Sequence, residues 1–242
     1  MNKVVGPEKS NGIEMFAGFR QVNGTVRMDM EMTNVGSPAD IQGLAIQLNK
    51  NAFGLSPASQ QVVCNPPISQ GSSGKNFVEL VVTPSMMAPL PAGQPASPQV
   101  QVAIKNMATG NVFYFAVNFN LEALFSTDGT MERSSFIESW KSIDDKNELY
   151  ATVSDLPSSS CDIDAVTIKF KAHNVFFIAR RPVPNAEGQE VVYFSMRTMT
   201  NMEFLAELTF KQGVNACKLC LKTESSAYGP LAKTALEYLL KK

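Results

Sequence analysis

The sequence lacks most of the residues and motifs on which catalysis depends. Histidine occurs once in 242 residues, at His173, so a Ser–His or Cys–His nucleophile would have to use this one side chain. No glycine-rich phosphate loop, HExxH or GxSxG motif is present. The carboxylate pairs Asp144–Asp145 and Asp162–Asp164 lie in polar segments of turn or helix-start character, where charge is usually solvated. These absences predict a chain that is not an enzyme and that needs no cofactor.

Cysteine is also scarce, and its spacing argues against a metal or redox site. Cys64 and Cys161 are isolated, whereas Cys217 and Cys220 form the sequence CKLC. In a strand, residues three apart point to opposite faces, so this pair is badly placed to share a metal ion or a disulfide. No second CxxC is present to complete a zinc site. We therefore predict four reduced, mostly buried thiols and no metal centre.

Neither an excess of basic charge nor a long apolar run occurs. The net charge of −1 and the absence of a basic stripe argue against nucleic-acid binding. No apolar run reaches the roughly 18 residues that a membrane span needs. The opening residues MNKVVGPEKSNG lack the apolar core of a signal peptide. We expect a cytoplasmic protein.

The first half of the chain has the alternation of half-buried strands. Val26, Met28, Met30 and Met32 alternate with polar residues, and Asn23–Gly24 before them is a strong hairpin signal. The proline-rich segment 84–98 cannot pair in a sheet and predicts a surface loop. About eight short strands without a convincing helix indicate an immunoglobulin-like β-sandwich. The strands are expected at Ile13–Arg20, Thr25–Met32, Ile41–Asn49, Gln61–Cys64, Phe77–Thr83, Val100–Asn106 and Asn111–Asn120.

The pattern changes after residues 121–129, where helices begin to alternate with strands. Strands joined by short turns and flanked by helices predict an α+β platform, an antiparallel sheet with helices against it. We predict two subdomains, a β-sandwich over residues 1–123 and the platform over residues 124–242. Strands are expected at Glu148–Ser154, Asn174–Arg181, Val191–Met199, Met202–Phe210 and Ala216–Thr223, and helices around Trp140, at Asp162–Ala172 and at Ser226–Leu240.

The helix around the single tryptophan, Trp140, is the most informative segment. Phe136 and Trp140 are one turn apart on the same face, Thr130 is expected to cap the helix start, and the helix is expected to end near Ser142. Two interpretations of Trp140 are open. It is either a core residue that holds the helix to a sheet, or an exposed anchor for a partner protein.

Seven segments occur in an order that is typical of one family. They are NKNAFGLSP at 49–57, QVAIKN at 101–106, VFYF at 112–115, LFSTDGTMERSSFIESWK at 124–141, NELY at 147–150, FFIARR at 176–181 and FLAEL at 204–208. Together with a lone tryptophan in the first helix of the second half, they resemble the appendage (ear) domain of the β-adaptins of clathrin adaptor complexes. The resemblance favours the exposed-anchor interpretation of Trp140.

The resemblance implies a binding module that recognises short peptide motifs of endocytic accessory proteins and clathrin, and recruits them to coated vesicles. The platform would accept a short amphipathic helix with phenylalanine anchors and a trailing arginine, a helix-in-groove mode. Glu148 and Glu207 would suit that arginine, and Arg181 an acidic residue that leads the motif. The platform residues implied by the resemblance are Trp140, Lys141, Glu148, Arg180, Arg181, Tyr193 and Glu207, and those of a second site on the sandwich are Gln101, Lys105 and Tyr114.

The resemblance also implies partners and a location. The chain would be part of a longer subunit that joins other adaptor subunits through its trunk, peripheral on clathrin-coated pits or vesicles. Two other classes of function stay open at this point. One is a structural spacer whose grooves bind nothing, and the other is an enzyme that uses His173 with a nearby cysteine or aspartate.

Overall fold

The computed structural model describes Met1–Lys242 and divides into two units. The sandwich unit comprises Met1–Pro89 and Ser97–Ala123, and the platform unit comprises Leu90–Ala96 and Leu124–Lys242. The second unit is therefore built from two separate stretches of sequence. That residues 1–123 and 124–242 form the two subdomains stays a prediction. None of the helices has the length and apolar character that crossing a membrane requires.

Two antiparallel sheets form the sandwich unit, which confirms the all-β prediction for the first half. One sheet has the order β1-β2-β3-β7-β5 and the other the order β6-β4-β8-β9. The inward-facing side chains of β3, including Met28, Met30 and Met32, are buried, as their alternation predicts. The strands are β1 Asn2–Val5, β2 Ile13–Val22, β3 Thr25–Asn34, β4 Ile41–Leu48, β5 Leu55–Pro57, β6 Gln61–Ile68, β7 Ser73–Val82, β8 Gln99–Asn106 and β9 Val112–Asn118.

The β2–β3 hairpin closes at the predicted turn. Asn23 and Gly24 have φ of 50° and 80°, and Val22 pairs with Thr25. Two positive φ values in succession give the type I′ turn, whose twist matches that of the flanking strands. A residue with a β-carbon is strained at φ 80°, which explains glycine in the second position.

Five elements of the sandwich unit differ from the sequence prediction. Strand β1, the short helix α1 Pro7–Ser10 and strand β5 lie where no regular element is predicted, and β7 begins at Ser73 rather than at Phe77. Strand β6 continues beyond Cys64 through Pro66 and Pro67 to Ile68. Strand β6 is at the edge of its sheet and has a neighbouring strand on one side only. An edge strand accepts prolines, because a missing N–H group on its open side removes no hydrogen bond to another strand.

The platform unit is a five-stranded antiparallel sheet with helices on both faces, which confirms the α+β prediction. The strand order is β10-β14-β13-β12-β11. The strands are β10 Glu148–Ser154, β11 Phe176–Pro182, β12 Gln189–Arg197, β13 Glu203–Lys211 and β14 Ala216–Lys222, and the helices are α2 Arg133–Ser142, α3 Ile163–Lys171 and α4 Gly229–Lys241.

The two faces of the platform sheet are covered unequally. On one face, Phe204, Ala206 and Leu208 of β13 are buried, and α3 and α4 pack against this face. On the other face, α2 packs Phe136 and Ile143 against Leu205 at one end of β13 only. We call the face that carries α2 the binding face. Beyond Leu205 it presents polar side chains of the middle strands.

Helix α2 ends at Ser142 as predicted, but its start differs. The residue at the N-cap is Glu132, with φ −67° and ψ 146°, and its side chain makes no capping hydrogen bond. The predicted cap by Thr130 is therefore wrong. The segment before α2 is held in another way, because Ser195 Oγ donates to the Gly129 carbonyl oxygen at 2.9 Å. A β-carbon on Gly129 would lie 2.7 Å from Arg197 N, so glycine permits this close approach to β12.

Most of the cysteines are buried, as predicted, and the single histidine lies beside a helix end. All four cysteines are free; Cys64, Cys217 and Cys220 are buried, and Cys161 is half-buried. His173 follows the end of α3, and its backbone N–H donates to the Phe170 carbonyl oxygen at 2.9 Å. Burial lowers the pKa of its imidazole, with Lys242 and Lys169 acting in the same direction.

A candidate peptide-binding groove

An aromatic cluster forms where α2 crosses the binding face. Phe136 and Trp140 are stacked with ring centres 5.6 Å apart, as their spacing of one helical turn predicts. The Tyr193 ring, from β12, meets both edge-on, at 5.6 Å from Phe136 and 6.1 Å from Trp140. Phe136 is buried, whereas Trp140 and Tyr193 are only partly buried. Trp140 is therefore attached to the core through Phe136 and still presents ring surface to solvent.

Tyr193 also orients the cation beside the cluster. Arg181, on β11, donates from Nη2 and Nε to the Tyr193 hydroxyl at 2.6 and 3.1 Å, and its Cζ is 5.5 Å from the Tyr193 ring centre. Burial raises the pKa of the Tyr193 phenol; the bond from Arg181 acts against this, and the carboxylate of Glu207 acts with it. The guanidinium of Arg181 is thus held at one end of the aromatic cluster.

Glu207 supplies the opposite charge on the next strand. It pairs directly with Tyr193 across β12 and β13, and with Cys220 across β13 and β14. Its neighbours on β13 are mostly apolar, and Leu205 and Leu208 are both buried. An acidic side chain at that position faces the open part of the binding face.

These side chains line one groove of about 440 Å³ between α2, β11 and the middle of the sheet. Aromatic and aliphatic groups contribute much of its lining, and its charged groups include Arg133 and Arg181 as cations and Glu207 as an anion. A groove with an apolar floor and opposite charges at its rim suits an amphipathic peptide. Its lining comprises Arg133, Phe136, Ile137, Trp140, Lys141, Ile178, Ala179, Arg180, Arg181, Tyr193 and Glu207.

The three sandwich residues singled out from the sequence lie together on the outer face of the sheet β6-β4-β8-β9. Tyr114, on β9, pairs with Ala103 and is 73% exposed. Gln101 and Lys105 are two residues to either side of Ala103 on β8, so all three side chains share one face. Gln101 is fixed by Asn49, whose Nδ2 donates to Gln101 Oε1 at 2.8 Å. The arrangement is a flat surface with one projecting aromatic ring.

Comparison with known proteins identifies the family. Residues 126–240 match the family described as "Beta2-adaptin appendage, C-terminal sub-domain". The "AP-1 complex subunit beta-1" of Homo sapiens is 32% identical over 236 residues, which cover 96% of this chain. The chain belongs to the β-adaptin appendage family. The "AP-1 complex subunit beta-1" of Mus musculus is 31% identical over 233 residues, and the "AP-1 complex subunit beta" of Dictyostelium discoideum is 29% identical over 227 residues.

The appendage spans 23% of the length of each of these relatives. The alignments include 96% of this chain for the two mammalian proteins and 93% of it for the Dictyostelium protein. Appendages of this family are non-enzymatic protein-binding modules, so the family gives no support to the hypothesis of an enzyme built on His173.

In this appendage two of the predicted platform residues do not bring their charged groups into the groove. The guanidinium of Arg180 is on the opposite face of β11, where it pairs with Glu190 at 2.5 Å and with Asp164 of α3 at 3.3 Å. Glu148, on β10, is 14% exposed and accepts from Cys220 Sγ at 2.7 Å. That either residue contacts a ligand stays a prediction, as it does for the residues that the groove brings together.

Lys222 is the main feature of the site that sequence reasoning missed. Its side chain is 7% exposed, with Nζ 2.8 Å from Asp145 Oδ1, 3.8 Å from Glu148 Oε2 and 5.4 Å from the Trp140 ring centre. The hydrogen bond to Asp145 raises the pKa of the ammonium. The signal was a lysine at the end of the apolar run of β14, where a charged residue is seldom buried without a partner. Arg133 and Ile178 were also missed.

Proposed function

We propose that this appendage recruits endocytic accessory proteins by binding short peptide motifs in the groove beside Trp140. One observation carries the proposal: a partly exposed tryptophan, Trp140, shares one groove with a fixed cation, Arg181, and an anion, Glu207. Tryptophan and arginine are the residue types most enriched at binding hot spots. The spacer hypothesis gives no reason for such a groove, because a spacer needs no partly exposed aromatic cluster with charges at its rim.

The chemistry of the groove defines the ligand. Apolar side chains, phenylalanine above all, would pack on Trp140 and Tyr193. A helix is stabilised by acidic residues in its first turn and by basic residues in its last turn. Such a helix would place its leading acid at Arg181 and its trailing arginine at Glu207. The ligand is therefore a short amphipathic helix with an acidic start, two phenylalanine anchors and a following arginine.

The span between the two charges fits a helix of two turns. Arg181 is on β11 and Glu207 on β13, two strand spacings apart, which is roughly 10 Å. A helix rises by about 1.5 Å per residue, so roughly seven residues cover this distance. A peptide of that size buries little surface and loses conformational freedom on binding, so we expect micromolar affinity.

The exposed surface around Tyr114, with Gln101 and Lys105 beside it, is proposed as a second docking place for motifs of the same partner proteins and clathrin. Weak sites become effective through multivalency when many appendages are gathered on one coat. The names of the relatives, subunits of AP-1 complexes, support a place in an adaptor complex. The chain would then join other adaptor subunits through a trunk and lie on coated vesicles or pits, with the membrane contacted by the adaptor core.

A calorimetric titration tests the groove. The probe is a synthetic peptide with an acidic start, two phenylalanines and a following arginine, and the proteins are wild type, Trp140→Ala and Tyr238→Ala. Tyr238 is an exposed aromatic on α4 and serves as the matched control. We expect saturable micromolar binding that Trp140→Ala weakens more than tenfold and Tyr238→Ala leaves unchanged.

A charge exchange guards against a Trp140 variant that does not fold. Glu207→Arg should lose the arginine peptide and regain binding when the peptide carries glutamate at the same position. Absence of saturable binding by the wild type would favour the spacer hypothesis. Binding that survives both Trp140→Ala and Glu207→Arg would remove the groove from the proposal and leave the Tyr114 surface as the next candidate.

A further inference from the structure

The binding face has a second depression that adjoins the groove and has no role so far. It has a volume of about 290 Å³ and lies over β13, β14 and β10, beyond the part of the sheet that α2 covers. Its most prominent member is Tyr150, which is 69% exposed. The depression is lined by Tyr150, Ala151, Thr152, Glu207, Thr209, Lys218, Leu219 and Cys220.

The strand register makes this depression a continuation of the groove. Tyr193, Glu207, Cys220 and Tyr150 are direct partners on four adjacent strands, so they form one row across the sheet. Glu207 belongs to both the groove and the depression. From Glu207 to Tyr150 the row crosses two strand spacings, roughly 10 Å. A ligand that leaves the groove at Glu207 in the same direction would pass over Tyr150.

The side chains of the depression have a definite chemistry. The ring of Tyr150 offers an exposed apolar surface. Lys218 and Thr209 pair across β13 and β14 in the neighbouring row of the same face, and Lys218 is exposed. The carboxylate of Glu148 is already occupied by Cys220 and Lys222. Beside the Glu207 carboxylate that it shares with the groove, the depression therefore offers a ring and a cation, which suit an apolar and an acidic side chain.

We propose that ligands of the groove extend beyond the arginine that faces Glu207, with an apolar side chain against Tyr150 and an acidic side chain at Lys218. The occupant is the carboxyl-terminal continuation of the same peptide. A helix covers roughly 10 Å in about seven residues, so the added contacts fall about two turns after the arginine. Lys218 then lies near the carboxyl end of the ligand helix, where a cation is favourable. This inference rests on the proposed function of the groove.

The test compares two peptides on the same proteins. The core peptide ends two residues after its arginine, and the extended peptide adds about two helical turns with a leucine and a glutamate in that stretch. We expect the extended peptide to bind wild type about five- to tenfold more tightly. Tyr150→Ala should abolish this gain and leave the affinity for the core peptide unchanged. Tyr150→Phe, which keeps the ring, should retain most of the gain.

A charge exchange at Lys218 gives an independent readout. Lys218→Glu should weaken binding of the extended peptide, and a peptide with lysine in place of the glutamate should restore it. If the core peptide binds and the extension adds nothing in the wild type, the inference is overturned while the groove stands. A gain that survives both Tyr150→Ala and Lys218→Glu also overturns it. If neither peptide binds, the proposed function fails and the inference fails with it.

Discussion

The ammonium of Lys222 lies 5.4 Å from the centre of the Trp140 ring and at the same time 2.8 Å from Asp145 Oδ1. Lys222 comes from the last strand of the platform, β14, and Trp140 comes from its first helix, α2. A cation against a tryptophan face is attractive, and more so when it is removed from water. Lys222 therefore helps to hold the ring that is proposed to take the ligand.

Lys222→Met should destabilise the domain, because it keeps the aliphatic stem but leaves Glu148 without its cation and Trp140 without its charged neighbour. We expect a loss of about 2 kcal/mol in the free energy of unfolding. Asp145 is largely exposed, so the loss of its bond to Lys222 should contribute little to this value. Urea unfolding measured by the fluorescence of the single tryptophan gives the value. The matched control is Lys218→Met on the same strand, which is exposed and should change stability by less than about 0.5 kcal/mol. Equal effects of the two substitutions would contradict the role of Lys222.

The phenol of Tyr150 should titrate abnormally. Its hydrogen bond to Glu148, with the charge of that carboxylate, raises the pKa of Tyr150 from 10.0 to about 12. Because the folded pKa lies above the unfolded one, this contribution to stability is complete below pH 10 and is lost as the pH rises from about 10 to about 12.

Tyrosine ring signals in NMR measure this titration, and Tyr150→Phe assigns the resonance. At pH 11 we expect Tyr150 to be mostly protonated in the wild type and mostly ionised in Glu148→Gln, where the negative charge is absent. The comparison is made under conditions where circular dichroism shows both proteins folded. The same midpoint in the two proteins would show that Glu148 is not the cause.

Helix α3 depends on its capping residue. Asp162 Oδ1 accepts from Asp164 N at 2.8 Å and from Ala165 N at 3.0 Å. Asp162→Ala removes both bonds and should cost about 1 kcal/mol of stability, whereas Asp162→Asn keeps an acceptor and should cost less. Thermal unfolding of the two variants compares them. Equal costs for asparagine and alanine would mean that the charge, and not the cap, matters.

Helix α2 offers the reverse case, in which stability can be gained. Glu132 occupies the N-cap in an extended conformation without a side-chain bond. Glu132→Ser places a hydroxyl within reach of the free N–H groups and should add about 0.5–1 kcal/mol, or a few degrees in melting temperature. Thr130→Ala is the control and should have little effect, because Thr130 is not at the cap. Destabilisation by Thr130→Ala alone would restore Thr130 as the functional cap.

The sequence predicts the platform well where a local pattern decides the structure. The predicted strands of the platform sheet agree with the observed ones to within a few residues, and the polar segment after Ser142 ends α2. The sequence fails at β5 and β6, because Pro57, Pro66 and Pro67 argue against strands. Only the sheet order shows that β6 is an edge strand that accepts prolines.

The same distinction holds for the candidate groove. Trp140, Tyr193 and Glu207 are found from local motifs and from resemblance, and the structure brings them together in one groove. Lys222 is not found, since its partners Asp145 and Trp140 are far away in the sequence and only strand pairing brings them close. The orientation of Arg180 is a further example. Arg180 and Arg181 are neighbours in the chain, yet a strand turns their side chains to opposite faces, and the spacing alone does not show which one faces the groove.

The short stretch Leu90–Ala96 affects how the platform unit folds during synthesis on the ribosome. It belongs to the platform unit, and Ala96 N donates to the Ala227 carbonyl oxygen at 2.8 Å. During synthesis these seven residues leave the exit tunnel before the rest of the platform, and Ala227 is among the last residues to appear. The first segment of the platform unit to be synthesised, Leu90–Ala96, thus bonds to a residue that is synthesised near the end of the same unit. The unit can therefore be completed only when translation of the domain is almost finished.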